Sequence, residues 1–583
     1  MPLAELTGVL GVKRAAHLLR RATFGANKSQ IDHFASLTPA QAIQELFHQP
    51  LPDPVLPIDP ETGLEWFLSG TTNGSSEEFK LGQYFQGWFM AQMMSSGIPE
   101  NLSIPYSARE KIVLFFHTHF TCIANKVQSS RALYFQNELF RQYVLDANTG
   151  DPEVNLKSLT VKLSVDNAML RLLDGNLNSK GNPNENYARE LLELYSIGRG
   201  LEGTVPENLP AGDYYVYTED DVVAAAEVLS GWQDDLTFAN IDPDTNLPRG
   251  RVKGNPDNAS SHKNTVKTFS ERFGGQSVTP DPLLMNGDDP TEASALDEIR
   301  QLIDIIYSSP NTPRNICWKI YRFFVYSPHG KHEPTNNIGW IDSEVITPMA
   351  DLFISSGYQI QPVIENLLRS QHFYDATNPD IRDDSYGGII KSPLDLILGT
   401  FRAFDVRFPD MLTETEAFYE ATTSVIYTMQ SLGMKFYEPF DVAGYEAYHQ
   451  FPIFQRIWIT PGALAIRYDF IRHLFRSVNP GMFYIDALQY VDDNFSGVAA
   501  DAKSLIIALA HYHLPVADNL SFDEAATTSP LTHRRLNYFL NRFLQDFDEA
   551  YWTTRWNERA GDLREQLEFL FNAMLQTPEY QLA

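Results

Sequence analysis

Hydrophobic positions recur along this chain at helical spacing far more often than at the alternation of a strand. Residues 13–48 read as two short helices. Leu18, Leu19, Ala22 and Phe24 precede a Gly25 stop, and Ile31, Phe34, Ala35 and Leu37 lead to a Thr38-Pro39 helix start. A run from Glu77 to Met94 carries Tyr84, Phe85, Trp88, Phe89 and Met93 as one core face. Residues 107–121 read as a buried helix opened by Ser107, with Glu110 at the capping-box position. Helical runs follow at 131–145 and 154–173. Gly, Pro, Asn and Asp then take over from about 236 to 290, and a loop that long inside a compact fold tends to be functional. Periodicity resumes at 292–309, 313–326, 343–356, 360–370, 388–405, 415–434 and 461–477, and residues 484–583 hold four more helices. The predicted fold class is mainly α: a large multi-helix globular fold with long irregular loops and little β structure. It divides into an N-terminal helical lobe (1–235), an irregular segment (236–291) and a C-terminal helical lobe (292–583).

One stretch breaks the pattern of plain amphipathic helices. From Asp174 to Trp232 an Asn/Asp/Gly loop runs into a helix, and a second capped helix follows. At about 100° per residue, Asn186, Arg189, Glu190 and Glu193 share one arc, while Tyr187, Ala188, Leu191, Leu192, Leu194 and Tyr195 take the other side. Glu190 and Glu193 are like charges one turn apart. Arg189 also precedes Glu193 in the less favourable order for an i,i+4 pair. Three readings stay open: a solvated face, a buried ionic network, or a functional site.

Two chemistries fit the stretch. Asp174, Asn176, Asn178 and Glu185 stand at positions 1, 3, 5 and 12 of an oxygen-ligand spacing that can wrap calcium. Against it, Ser179 occupies the place of the turn glycine and Pro183 stiffens the exit; an Asn/Gly turn with Asn184 as helix cap explains the same residues. The second chemistry is an acid/base or metal-assisted site. Glu190 and Glu193, with His117 or His119 and His262 from other segments, supply the ligand types of a non-haem transition metal centre. Without metal the same groups serve as general acid and base, with Arg189 holding an anion. His117 and His119 lie about 200° apart if their segment stays helical and cannot then share one site; each also reads as a satisfied core histidine. Asn184, Asn186, His262 and Lys263 are the expected substrate contacts. The basic run Arg249, Arg251, Lys253, His262, Lys263, Lys267 reads either as a solvated loop or as an anion-contacting flap.

Composition narrows the alternatives. The 583-residue chain has 43% apolar and 20% charged residues and a net charge of −29, which argues against nucleic acid and anionic membrane as partners. Its two cysteines, Cys122 and Cys317, sit in separate apolar runs and read as buried thiols. No apolar run is long enough for membrane insertion, and no signal-peptide layout opens the chain. The expected compartment is the cytoplasm, or outside it if the N-terminus has been trimmed. Signatures of serine hydrolases, zinc proteases, P-loop NTPases and dinucleotide enzymes are missing.

The strings HLLRRATFG (17–25), KIVLFFHTHF (111–120), DNAMLRLLDGNLNSKGNPNENYARELLELYSIG (166–198), YTEDDVVAAAEVLSGW (217–232), SSHKNTVKTF (260–269), IIKSPLDLILGTFRAF (389–404), SLGMKFYEPFDVAGY (431–445) and LEFLFNAMLQTPEYQ (567–581) recur in order. With them the chain resembles the domain of unknown function 1800 family of bacterial proteins. It departs at His262-Lys263-Asn264-Thr265, where the family shows His-Asp-x-Gly-x-Lys-Thr, and at Tyr445, where the family has Trp. The resemblance implies no reaction. It implies a partner, because members often lie beside proteins of the domain of unknown function 1501 family. Two functions are therefore expected as alternatives. One is an enzyme using a divalent cation, or acid/base chemistry alone, on an anionic or carbohydrate-like substrate. The other is a non-catalytic helical adaptor that binds a partner protein.

Overall fold

The computed structural model describes residues 2–66, 75–328, 338–376, 386–476, 478, 481–525 and 531–583. Helix makes up 55% of the molecule and strand 5%, so the chain is mainly α, as its periodicity predicts. The N-terminal region holds three short helices rather than two: Gly11–Ala22, Lys28–Ala35 and Pro39–Phe47. Reciprocal capping boxes, Asn27 with Gln30 and Thr38 with Gln41, start the second and third. Among the described residues of the C-terminal block five helices, not four, stand out: Ala487–Phe495, Ala502–His513, His533–Leu544, Glu549–Asn557 and Leu563–Leu575.

The helix Ser103–His119 lies at the centre, and all its residues are buried. It packs against Pro39–Phe47, Ser75–Met93, Ser130–Val144 and Asn311–Phe324. The capping box read at Ser107 is not there. The helix starts four residues earlier, behind a 3-10 turn at Glu100–Leu102. Ser107 lies inside it, donating to the Met93 carbonyl at 3.1 Å and accepting from the Phe24 N–H at 3.2 Å. Glu110 instead accepts from Arg109 at 3.0 Å and from Arg141 at 2.7 Å. Arg141 also reaches Glu138 at 2.6 Å, and its guanidinium lies over the Trp88 ring. Burial alone would push the Glu110 carboxyl up; the Arg141 and Arg109 charges hold it below its usual range.

Segment 236–291 is largely irregular and carries two short antiparallel pairs, one to the residues before it and one within itself. Arg251–Val252 pairs antiparallel with Trp232–Gln233, and Lys267–Thr268 pairs with Ser277–Val278. It contributes Phe238, Val252, Phe269, Phe273 and Val278 to a hydrophobic core that runs from Leu6 to Tyr580. The two ends of the chain also meet, since the Gly11–Ala22 helix packs on Ala502–His513. Cys122 and Cys317 are separate buried thiols.

Where the first helix exits, Gly25 crosses the Pro393–Ala403 helix at Gly399. A Cβ on Gly25 would stand 3.0 Å from the Gly399 Cα, and φ at Gly25 is +102°. Both conditions demand glycine. Gly25→Ala is therefore expected to cost about 2–4 kcal/mol through combined backbone strain and overpacking, read as a lowered midpoint in urea unfolding; an unchanged midpoint would refute the crossing.

Candidate functional site

The helix of the Asn184–Glu193 stretch is shorter and less regular than a uniform 100° step implies. It is α-helical only over Asn186–Glu190 and widens into a π turn at Leu191–Tyr195. Side chains satisfy the carbonyls that the wider turn leaves unpaired. Ser196 Oγ donates to Leu191 O at 2.5 Å, Asn315 Nδ2 donates to Ser196 O at 2.7 Å, and Lys319 Nζ donates to Leu194 O. The change of pitch and the local partners spread the expected polar arc. Asn186 Nδ2 turns back to Leu173 O at 3.2 Å. Arg189 pairs with Glu219 at 2.6 Å and Glu185 at 3.1 Å and donates to Tyr214 Oη at 2.8 Å. Glu193 pairs with Arg199 at 2.6 Å. Asn184 Oδ1 accepts from the Asn186 N–H at 3.0 Å.

Both histidines of the central helix are buried and face different neighbours. The His117 ring stacks on Tyr437 with centroids 3.9 Å apart, and its Nε2 bonds to Tyr445 Oη at 3.1 Å. That hydroxyl also accepts from the Tyr437 N–H at 2.8 Å. Burial lowers the His117 imidazole to about 3. His119 Nε2 bonds to the Tyr195 carbonyl at 3.1 Å, while Nδ1 is 3.2 Å from Lys319 Nζ; these partners make Nε2 the protonated nitrogen. Burial and then the Lys319 charge push His119 well down. Among the described residues neither imidazole bonds to Glu190 or Glu193.

His262 is sealed elsewhere. Its Nδ1 bonds to Ser230 O at 2.9 Å and its Nε2 lies 3.2 Å from Glu298, which also pairs with the buried Lys267. A Cβ on Gly231 would come within 2.6 Å of the His262 N–H nitrogen, so the two segments are in backbone contact. Lys263 is 3.7 Å from Glu227, Arg249 pairs with Asp242 and Glu292, and Lys253 donates to Asn178 O. These members of the basic run are tethers to the body of the fold rather than a flap.

The calcium-like spacing does not close on one point. Asp174 pairs with Lys126 at 3.4 Å, Asn176 reaches toward Asp234, Asn178 Nδ2 donates to Ala226 O at 2.7 Å, and Glu185 pairs with Arg189. Among the described residues no group of three or more His, Cys, Asp or Glu could hold a metal ion. A cavity of about 590 Å³ opens elsewhere, between residues 91–103 and 402–414, and nothing from Asp174 to Glu193 lines it.

One group of the stretch stays poised. Glu190 is half-buried, and burial together with the Glu193 charge raises its carboxyl to about 7. Lys319, bonded to Leu194 O in the π turn, shifts in the opposite sense. Burial, then the Arg322 charge, brings that amine down to about 7.

A family model described as "Protein of unknown function (DUF1800)" matches residues 17–582. The chain belongs to the DUF1800 family. No curated protein and no solved structure matches it. Two residues that hold the DUF1800 motif together escape the sequence reading. Lys319 is one, and a lone lysine inside the apolar run CWKIYRFFVY was its signal. His449 is the other, bonding to the Thr118 carbonyl at 2.6 Å; it had no signal, because it lies 331 residues further along the chain. Tyr445, noted as a departure from the family's Trp, supplies the hydroxyl that both His117 and the Tyr437 N–H use.

Glu190 gives this region a pH signature. Its folded value, about 7, lies above its ordinary value of 4.5, so the fold favours the protonated form. The associated stability is fully present below about pH 4.5 and is lost as pH rises through 7. Glu190→Gln is expected to remove that slope and to gain about 1–2 kcal/mol over the wild type at pH 8, after discounting for solvent screening. Urea midpoints measured from pH 4.5 to 8 check this; identical slopes in both proteins would contradict it.

Proposed function

We propose that this DUF1800 protein is a non-catalytic helical adaptor. Its polar motif locks helices together, and an exposed aromatic turn beside the motif holds a partner protein. The observation that carries the reading is where the ionisable groups go. Catalysis needs them around a solvent-reachable cavity. Here His117, His119 and His262 are buried against rings, carbonyls and Glu298, and Arg189 is occupied by two carboxylates.

Phe440 is the anchor that the reading assigns. It is 86% exposed, yet its turn is held from outside by Asn125 N–H, which binds Glu438 at 2.6 Å, and closed within by Gly444 N–H on Asp441 O at 3.1 Å. A rigid exposed aromatic gives up little conformational freedom on binding and is a common interface hot spot. The partner proposed is a neighbouring protein of the domain of unknown function 1501 family, as the family resemblance implies. No helix among the described residues is long and apolar enough to cross a membrane.

A second reading keeps Glu190 as a general acid or base, because a carboxyl at about 7 is matched to proton transfer at neutral pH. Co-expression with the neighbouring protein, followed by size-exclusion chromatography and titration, separates the two. The adaptor predicts co-elution that Phe440→Ala weakens about tenfold or more and Glu190→Gln leaves unchanged. Separate elution of the two wild-type proteins at tens of micromolar contradicts it.

A further inference from the structure

Three of the family-like strings, 17–25, 389–404 and 567–581, converge far along the chain from the motif just described. They enclose a small pocket of about 40 Å³ lined by Arg20, Lys391, Asp395, Tyr512, His513 and Tyr580. Arg20 Nη2 donates to Tyr512 O at 2.6 Å. Lys391, 7% exposed, donates to Tyr580 O at 2.8 Å, and its ammonium lies 3.7 Å from the Tyr580 ring centroid. Arg467, fully buried, backs the pocket. It donates to Lys391 O at 2.8 Å and Gln581 Oε1 at 3.1 Å, and its Nε has no partner.

Charge is out of balance here. Among the described residues none of Arg20, Lys391 and Arg467 pairs with a carboxylate. Asp395 faces the pocket, but Lys111 holds one of its oxygens and Ser392 Oγ donates to the other at 2.8 Å. Arg20 and Lys391 thus line the pocket without an ion pair, beside one aspartate that Lys111 already holds, in a protein whose net charge is −29. Burial pushes Arg20 and Arg467 down to about 10 and Lys391 well below its ordinary value. Buried charge of one sign without a counter-charge is costly and is normally compensated.

We infer that this pocket is a binding site for a small inorganic oxyanion of the phosphate or sulfate class. Its volume exceeds the ~10–15 Å³ that one water needs and falls far short of the ~300–1,000 Å³ of organic-ligand pockets. Arg20 is half-buried and gives the route in from solvent. The Arg20 guanidinium and the Lys391 ammonium both line the pocket and suit a tetrahedral anion, which accepts from several directions. The inference stands independently of the adaptor reading, since none of its residues belongs to that motif.

The test uses the full chain in a chloride buffer, titrated with inorganic phosphate at constant ionic strength and followed by calorimetry and thermal unfolding. The expected result is a saturable heat and a saturable rise in melting temperature. Arg20→Gln, at the rim, should weaken phosphate binding at least tenfold while leaving the melting temperature in chloride within two or three degrees of wild type. Lys391→Met should act likewise and serves as a second check at the buried wall. No saturable response in the wild type overturns the inference. So does an equal response in Arg20→Gln, which would mark a general salting effect.

Discussion

A helix with no face to water can keep a charge only if another part of the chain supplies the opposite one. That constraint governs this molecule. Ser103–His119 carries Arg109, Glu110, Lys111, His117 and His119 into the centre of the core. Glu110 takes Arg141 from Ser130–Val144 and Lys111 takes Asp395 from Pro393–Ala403, while Arg109 is answered within the helix by Glu110. The neutral His119 accepts from Lys319 of Asn311–Phe324, and His117 bonds to the Tyr445 hydroxyl. Losing one member of such a pair leaves a buried unpaired charge, which costs several kcal/mol where a surface pair would cost little. The polar groups of the central helix thus fix which helices must pack on it and in which register.

The DUF1800 motif extends this logic outward. The Tyr195 carbonyl, at the end of the π turn, holds His119, and Lys319 ties the same histidine to Leu194. Leu194 and Tyr195 stand in the last turn of the helix, where carbonyls have no partner in the helix's own ladder. The buried histidine and Lys319 take them up. On the far side of the helix, His117 fastens the 436–445 turn through Tyr445 and Tyr437. The exposed Phe440 therefore sits on a support that reaches the centre of the molecule.

Much of this was legible in the residues and some was not. The helical class, most helix positions, the tightly ordered loop before Asn186 and the buried nature of the His117 run follow from periodicity and turn chemistry alone. Divergence of His117 and His119 also follows, once the helix continues through His119. Ser107 misled because a Ser-x-x-Glu string looks the same at a helix start and inside a buried helix. There Ser107 caps nothing and Glu110 answers to arginines from elsewhere. The polar arc of Asn186, Arg189, Glu190 and Glu193 misled for another reason. A single-pitch wheel cannot register a π turn, and partners such as Glu219 and Arg199 come from outside the helix. Charge balance at Arg20, Lys391 and Arg467 was invisible for the same cause: it exists only after three distant strings meet.

The central claim is that the histidines of the buried helix are neutral packing groups held by fixed partners. Histidine-selective NMR titration tests it most directly, with His117→Asn and His119→Asn used to assign the two signals. The account predicts that neither ring titrates between pH 5 and 8, His117 staying neutral until about pH 3. A midpoint near 6.5 for either ring would place it in contact with solvent and contradict the account.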